Sequence, residues 1–186
     1  MNNIIDISSY APKKSEPFLF DTNIWMYLYC PLGNYNKKII RIYDQFLKRL
    51  IQANSTIYIS SLILSEFFNA YCRLEFNIKK KKNPSRYNNY KKDFRTTQGY
   101  RDLMTIVMTT VKSQILKLAQ QIDDDFSIIS VEKLFSIIGK SDFNDCYYHV
   151  FAEQKSIAIV TDDRDFWIKN SRVKILTANK HLLKKQ

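Results

Sequence analysis

Between Ser141 and Phe166 the chain reads SDFNDCYYHVFAEQKSIAIVTDDRDF, which sets Asp142, Asp145, Asp162, Asp163 and Asp165 around one helix, one apolar strand and the turn after it. Carboxylates crowded beside a buried strand repel one another, because like charges a few ångströms apart cannot all ionise in a partly buried site. A divalent cation removes that conflict. Mg2+ and Mn2+ prefer carboxylate and water oxygens, and such ions activate a water while stabilising the leaving oxygen of a phosphodiester. Two more acids far off in sequence have a fitting setting: Asp21, directly after the apolar run Phe18-Leu19-Phe20, and Glu66, in the second turn of a helix that follows a strand.

The elements that must position these acids follow from periodicity. Residues 1–17 are polar, contain Pro12, and show no sustained period, so they are expected to form a flexible lead-in. A buried strand at 18–20 ends in Asp21. Ile39, Ile42, Tyr43, Phe46, Leu47 and Leu50 recur at helical spacing, and Thr56-Ile57-Tyr58-Ile59 has the β-branched and aromatic character of a strand. Ser60 or Ser61 caps a helix that carries Glu66. Leu103, Val107, Val111, Ile115, Leu118 and Ile122 predict one long helix stopping at Asp123, and Phe126–Ile129 reads as a short strand. After a short helix at 131–138, a helix from Asp145 to Glu153, a strand at 157–160 and a last strand at 173–176 complete the chain, with a basic tail at 181–186. Strands separated by helices imply an α/β fold with a mainly parallel sheet. In such a sheet ligands gather outside the C-terminal strand ends, where Asp21 and Asp162-Asp163 both belong.

With 186 residues, 45% of them hydrophobic, one domain is the expectation. A formal charge of +11 attracts polyanions, nucleic acid or an anionic membrane surface. No apolar run approaches the roughly 18 residues of a membrane span, and the first residues lack the pattern of a signal peptide, so a cytoplasmic protein without membrane association is expected. Cys30, Cys72 and Cys146 read as reduced structural thiols, and His149 and His181 form no His/Cys cluster, which excludes a zinc site and leaves oxygen ligands. Residues 77–100 are one-sidedly basic: Lys79, Lys80, Lys81, Lys82, Arg86, Lys91, Lys92 and Arg95 accompany only Asp93, with Tyr87, Tyr90, Phe94 and Tyr100 interleaved. This stretch is either a solvated face or a nucleic-acid contact in which the aromatics stack on bases.

FLFDTNIW at 18–25, YISSLILSEFFNA at 58–70, DCYYHVFAE at 145–153 and IAIVTDDRDF at 157–166, in this order, resemble the PIN-domain nucleases, including the VapC-like toxins of toxin–antitoxin systems. The resemblance spans 18–180, with the basic stretch at about 77–100 as an insertion. It implies a three-layer fold with a mainly parallel central sheet flanked by helices, and a metal-dependent endoribonuclease. It also implies that Asp21, Glu66, Asp145 and Asp163 hold Mg2+ or Mn2+, that Asn23 and Thr161 orient the site, and that an antitoxin protein and a homodimer are the partners beside the RNA substrate.

Each of these residues also has a plainer reading. Asp21 is placed to cap a helix, Glu66 to lie on a solvated stripe, and Asp142 to cap the helix that Asp145 begins. Asp145 is preferred to Asp142 and Asp163 to Asp162 as ligands, with Asp142 and Asp162 kept as alternatives, while Asp165 serves the turn or pairs with Arg164. His149 is read as structural. Two other functions compete: a catalytically silent nucleic-acid-binding or adaptor domain, and a haloacid-dehalogenase-like phosphatase, which needs a second Asp where this chain has Asn23.

Overall fold

The computed structural model describes residues 3–139, 141–168 and 171–185. Its centre is a six-stranded sheet in the order β1-β6-β5-β2-β3-β4, built from β1 (Ile4–Asp6), β2 (Pro17–Phe20), β3 (Thr56–Ile59), β4 (Gln120–Gln121), β5 (Ala158–Val160) and β6 (Ile175–Thr177). Every pairing is parallel, with Phe18 opposite Ala158 on one side of β2 and Ile57 on the other. Such a sheet needs crossover connections, and helices among the described residues supply them in a three-layer α/β arrangement. From β2 the chain first proceeds outward to β3 and β4, then returns to add β5 and β6 on the opposite side. The order therefore reverses between β2 and β5, which is where a crevice opens at the strand ends.

Helices α1 (Thr22–Tyr29), α2 (Lys37–Gln52) and α3 (Ser61–Lys82) surround the first half of the sheet. Helix α2 buries Tyr43, Phe46, Leu47 and Leu50 as its periodicity predicts, and Ser60 caps α3 by accepting from Ile63 N. After α3 come a π-helical turn at Tyr90–Phe94, α4 (Gln98–Thr110), a second π-helical turn at Val111–Ile115 and the short α5 (Leu116–Leu118). Helices α6 (Val131–Ile137), α7 (Phe143–Lys155) and α8 (Lys180–Leu183) complete the fold. Gly139, at φ +93° just after α6, takes a backbone conformation that a side chain would strain.

Three expectations are corrected. Residues 4–16 are not a loose lead-in: β1 pairs with β6, Ile7 is fully buried, and Arg49 donates to the carbonyls of Ile7, Ser8 and Tyr10. Tyr10, Glu16 and Lys174 then pin the segment to the opposite end of the chain. The helix predicted to run through Ile122 ends at Leu118, because Gln120 and Gln121 extend the sheet beside Tyr58 and Ile59. Phe126–Ile128 is a 3-10 turn rather than a strand. Within the expected basic tail, Lys180–Leu183 form α8 and bury Leu182. No helix among the described residues is long and apolar enough to cross a membrane.

Candidate active site

Asp21 stands where β2 gives way to α1, at the N-cap position, yet its carboxylate makes no capping bond. It turns instead toward β5: Thr161 Oγ1 donates to Asp21 Oδ2 at 2.7 Å, and Asn23 Nδ2 donates to the same oxygen. Thr161 is fully buried, and its hydroxyl also accepts from Asn23 Nδ2 (3.2 Å) and from the Asp163 backbone N–H (2.9 Å). One hydroxyl thus links the ends of the two strands that flank the switch point. Asn23 and Thr161 both meet the Asp21 carboxylate here.

Glu66 reaches the same region from α3. Its Oε2 accepts from Thr22 Oγ1 (2.7 Å) and Tyr148 OH (3.0 Å), and its Oε1 accepts from Asn144 Nδ2. Burial and the facing Glu66 carboxylate keep the Tyr148 phenol far above its ordinary pKa, so it serves as a donor. Asp145, in the first turn of α7, accepts from Ser141 Oγ at 2.6 Å. Asp163 Oδ1 accepts from the Asp165 N–H and shapes the turn after β5. Sequence reasoning did not single out Asn144, Tyr148 or Ser141; each sits within four residues of Asp145, which is the signal that could have found them.

The alternative acids are placed differently. Asp142 caps α7 by accepting from Asp145 N at 3.0 Å, although it also lines the cavity described below. Asp162 is held by two phenols, Tyr27 at 3.1 Å and Tyr43 at 2.9 Å, while its carbonyl accepts from Asn179. Asp165 is exposed and lies 3.7 Å from Arg164. His149 is buried in α7.

A cavity of about 540 Å³ opens at this point, lined by Asp21, Asn23, Asp142, Asp145 and Asp163 together with Tyr27, Tyr35 and Arg73. Gly33 permits the Tyr35 wall, since a Cβ there would fall inside the ring. Burial pushes the Asp21 carboxyl up to about 8; the Thr161 bond opposes this, and repulsion from Asp145, Glu66 and Asp163 adds to it. Burial likewise pushes Asp145 up to about 7, against the Ser141 bond and with repulsion from Asp142, Asp163 and Glu66. No ion pair relieves Asp21, Glu66, Asp145 or Asp163 among the described residues. As they stand, the carboxylates are spread onto their own hydroxyl and amide donors, and no three acid, His or Cys side chains among the described residues close on one point tightly enough to enclose an ion. In chemical type, an all-oxygen set under pressure to protonate matches a hard divalent cation.

The basic stretch forms the end of α3, the loop after it and the turn at 90–94. Its aromatics are not free to stack on bases: Phe76, Tyr87, Tyr90 and Tyr100 pack around the fully buried Phe94. Its one acid, Asp93, accepts from the N–H groups of Asn88 and Asn89, and Glu75, just before the stretch, pairs with Lys79. Cys30, Cys72 and Cys146 are buried and form no disulfide among the described residues.

The PIN domain family model matches residues 18–170. Among solved structures, VapBC2 from Rickettsia felis bound to a DNA fragment from their promoter aligns with a TM-score of 0.50 and 17% identity, over 87% of this chain and 97% of that one. PAE2754 from Pyrobaculum aerophilum aligns with a TM-score of 0.47 and 14% identity, over 96% and 94%. No curated protein matches by sequence. At such identities the first of these likenesses speaks for the fold. The family model extends from β2 past the turn after β5 and so contains Asp21, Glu66, Asp145 and Asp163: the chain belongs to the PIN-domain family.

Proposed function

We propose that this protein is a Mg2+- or Mn2+-dependent endoribonuclease in which Asp21, Glu66, Asp145 and Asp163 hold the cation beside an RNA phosphodiester. The observation that carries the reading is the cavity where β2 and β5 diverge, in which Asp21 and Asp145 are raised to about 8 and about 7 by burial and by acids with no cationic counterpart. When bound, the cation supplies Lewis acidity and charge neutralisation to the phosphoryl oxygens. The chain's own work is positional: Thr161 and Asn23 fix Asp21, the Thr22, Asn144 and Tyr148 donors fix Glu66, and Ser141 fixes Asp145. Lys79, Lys80, Lys81, Lys82, Arg86, Lys91, Lys92 and Arg95 hold the RNA backbone by charge, which positions a strand without reading its sequence. Membership in the PIN family and the fold shared with VapBC2 support a toxin of a toxin–antitoxin pair, acting in the cytoplasm as a homodimer controlled by an antitoxin.

The test is incubation of wild type and Asp21→Asn with total RNA, with and without Mg2+ or Mn2+. Cation-dependent cleavage by wild type alone supports the reading; equal cleavage by both sinks it. The spread of the carboxylates onto their own donors favours one second reading, a catalytically silent nucleic-acid-binding domain. Such a domain shows no cation-dependent rise in melting temperature.

A further inference from the structure

Arg73 lies seven residues after Glu66 on α3, about two helical turns and roughly 10 Å along the axis. Both belong to one stripe of the helix, on which Ala70, Arg73 and Asn77 line the cavity that Asp21, Asp142, Asp145 and Asp163 also line. An arginine beside so many carboxylates would be expected to pair with one. This one does not: its guanidinium lies over the Tyr90 ring, 4.1 Å from the centroid, and it makes no ion pair or hydrogen bond among the described residues. Tyr90 is itself held edge-on by Phe76 at 5.3 Å and packed on Phe94 at 5.7 Å. The insertion therefore supplies an aromatic ring that carries a planar cation in the cavity lining, in no ion pair with its acids among the described residues.

We infer that Arg73, stacked on Tyr90, is a binding residue for a backbone phosphate flanking the one to be cleaved. The inference rests on the nuclease reading for its substrate and gives a purpose to a segment that the acidic site does not use. A guanidinium fixed by stacking loses little freedom on gripping phosphate and presents two parallel N–H donors, which a lysine cannot. Its distance from Glu66 along α3 suits a neighbouring phosphate rather than the scissile one. Lys81, Lys82, Lys91 and Lys92, all exposed, continue the positive surface beyond it.

The experiment measures binding of a fluorescent single-stranded oligoribonucleotide by anisotropy, at several salt concentrations with Mg2+ present. It uses Asp21→Asn to prevent cleavage, then adds Arg73→Ala, Arg73→Lys or Tyr90→Leu, with melting temperatures to exclude unfolding. Arg73→Ala is expected to weaken binding about tenfold and to lower the slope of log affinity against log salt by about 0.7, one phosphate contact. Arg73→Lys should restore the slope but not the affinity. Tyr90→Leu should weaken binding while keeping the slope. With otherwise active protein, Arg73→Ala should raise KM and leave kcat nearly unchanged. Unchanged affinity and slope in folded Arg73→Ala overturn the inference, even if Asp21-dependent cleavage stands. Conversely, loss of binding in a protein that never cleaves RNA keeps Arg73 as a phosphate-binding residue and overturns the nuclease reading.

Discussion

Thr161 and Asp21 are 140 residues apart in sequence, and the 2.7 Å hydrogen bond between them joins the ends of two neighbouring parallel strands. The bond favours the charged carboxylate, so it works against the burial that raises Asp21 to about 8. Thr161→Val keeps the shape and removes the hydroxyl, leaving Asp21 with Asn23 as its side-chain donor and the Asp163 N–H without its acceptor. We expect a stability loss of about 1–2 kcal/mol and a cleavage onset shifted to higher pH. Thr161→Ser should recover most of both. Denaturant melts and a pH–rate profile check this; a profile that coincides with wild type would remove Thr161 from the site.

Asp21 and Asp145 also set an alkaline limb in the stability of the metal-free protein. Both are raised above the ordinary carboxylate value in the folded state, so the folded chain holds protons that the unfolded chain has released. Their contribution is present at low pH and is lost as pH rises toward 7 and 8. Between pH 6.5 and 8, Asp21 alone accounts for about 2 kcal/mol. Asp21→Asn should flatten this limb and make the apo protein more stable at pH 8 while abolishing cleavage. Saturating Mg2+ should flatten it in wild type and do nothing for the variant. Urea melts at several pH values read both effects.

How much of this the sequence revealed depended on range. The acids at strand ends, the Ser60 cap and the α2 stripe were legible because each is set by neighbours within one or two turns. The β1 strand was not, since Ile4–Asp6 pair with β6 at the far end of the chain, and the carbonyls of Ile7, Ser8 and Tyr10 just after it are held by Arg49. Nor was β4, because two glutamines carry no strand signature and are extended only by the backbone of β3. Within the site, the acids could be named but not the donors to Glu66: Asn144 and Tyr148 meet it across 78 and 82 residues, a meeting that only the packing of α7 against α3 decides. The arm was legible as basic, yet its tyrosines looked available when they are a small core.

The acids of the turn after β5 divide by their partners. Asp163 lines the cavity, whereas Asp162 is committed to Tyr27 and Tyr43. Asp163→Asn should therefore lower kcat by a hundredfold or more with little change in melting temperature, the expected loss for a residue acting only through charge at the reaction. Asp162→Asn should act on stability instead, by about 1–3 kcal/mol, because two phenols lose a charged acceptor. For the α7 pair the same logic applies: Asp145→Asn is expected to abolish activity, and Asp142→Asn, which keeps an N-capping oxygen, to retain most of it. The assignment fails if Asp142→Asn and Asp162→Asn are the inactive variants and the other two cleave normally.

His149 supplies an acid limb of opposite sign. It is buried in α7, its Nδ1 has no hydrogen-bond partner among the described residues, and burial pushes it down to about 4, with Glu153 opposing and Lys133 adding to the shift. A histidine lowered in the folded state must stay neutral there, while the unfolded chain takes up a proton below about pH 6.5. Its contribution is complete above that pH and is lost as pH falls toward 4, at a cost of up to about 3 kcal/mol. His149→Leu, close in volume and without a titrating group, should remove this dependence and leave cleavage at pH 8 intact. Urea midpoints of wild type and variant should diverge between pH 6.5 and 4.5 and coincide above pH 7. Parallel curves would mean that His149 takes up its proton inside the folded protein, and a loss of cleavage at pH 8 would give it a part in the chemistry that its burial behind the site denies it.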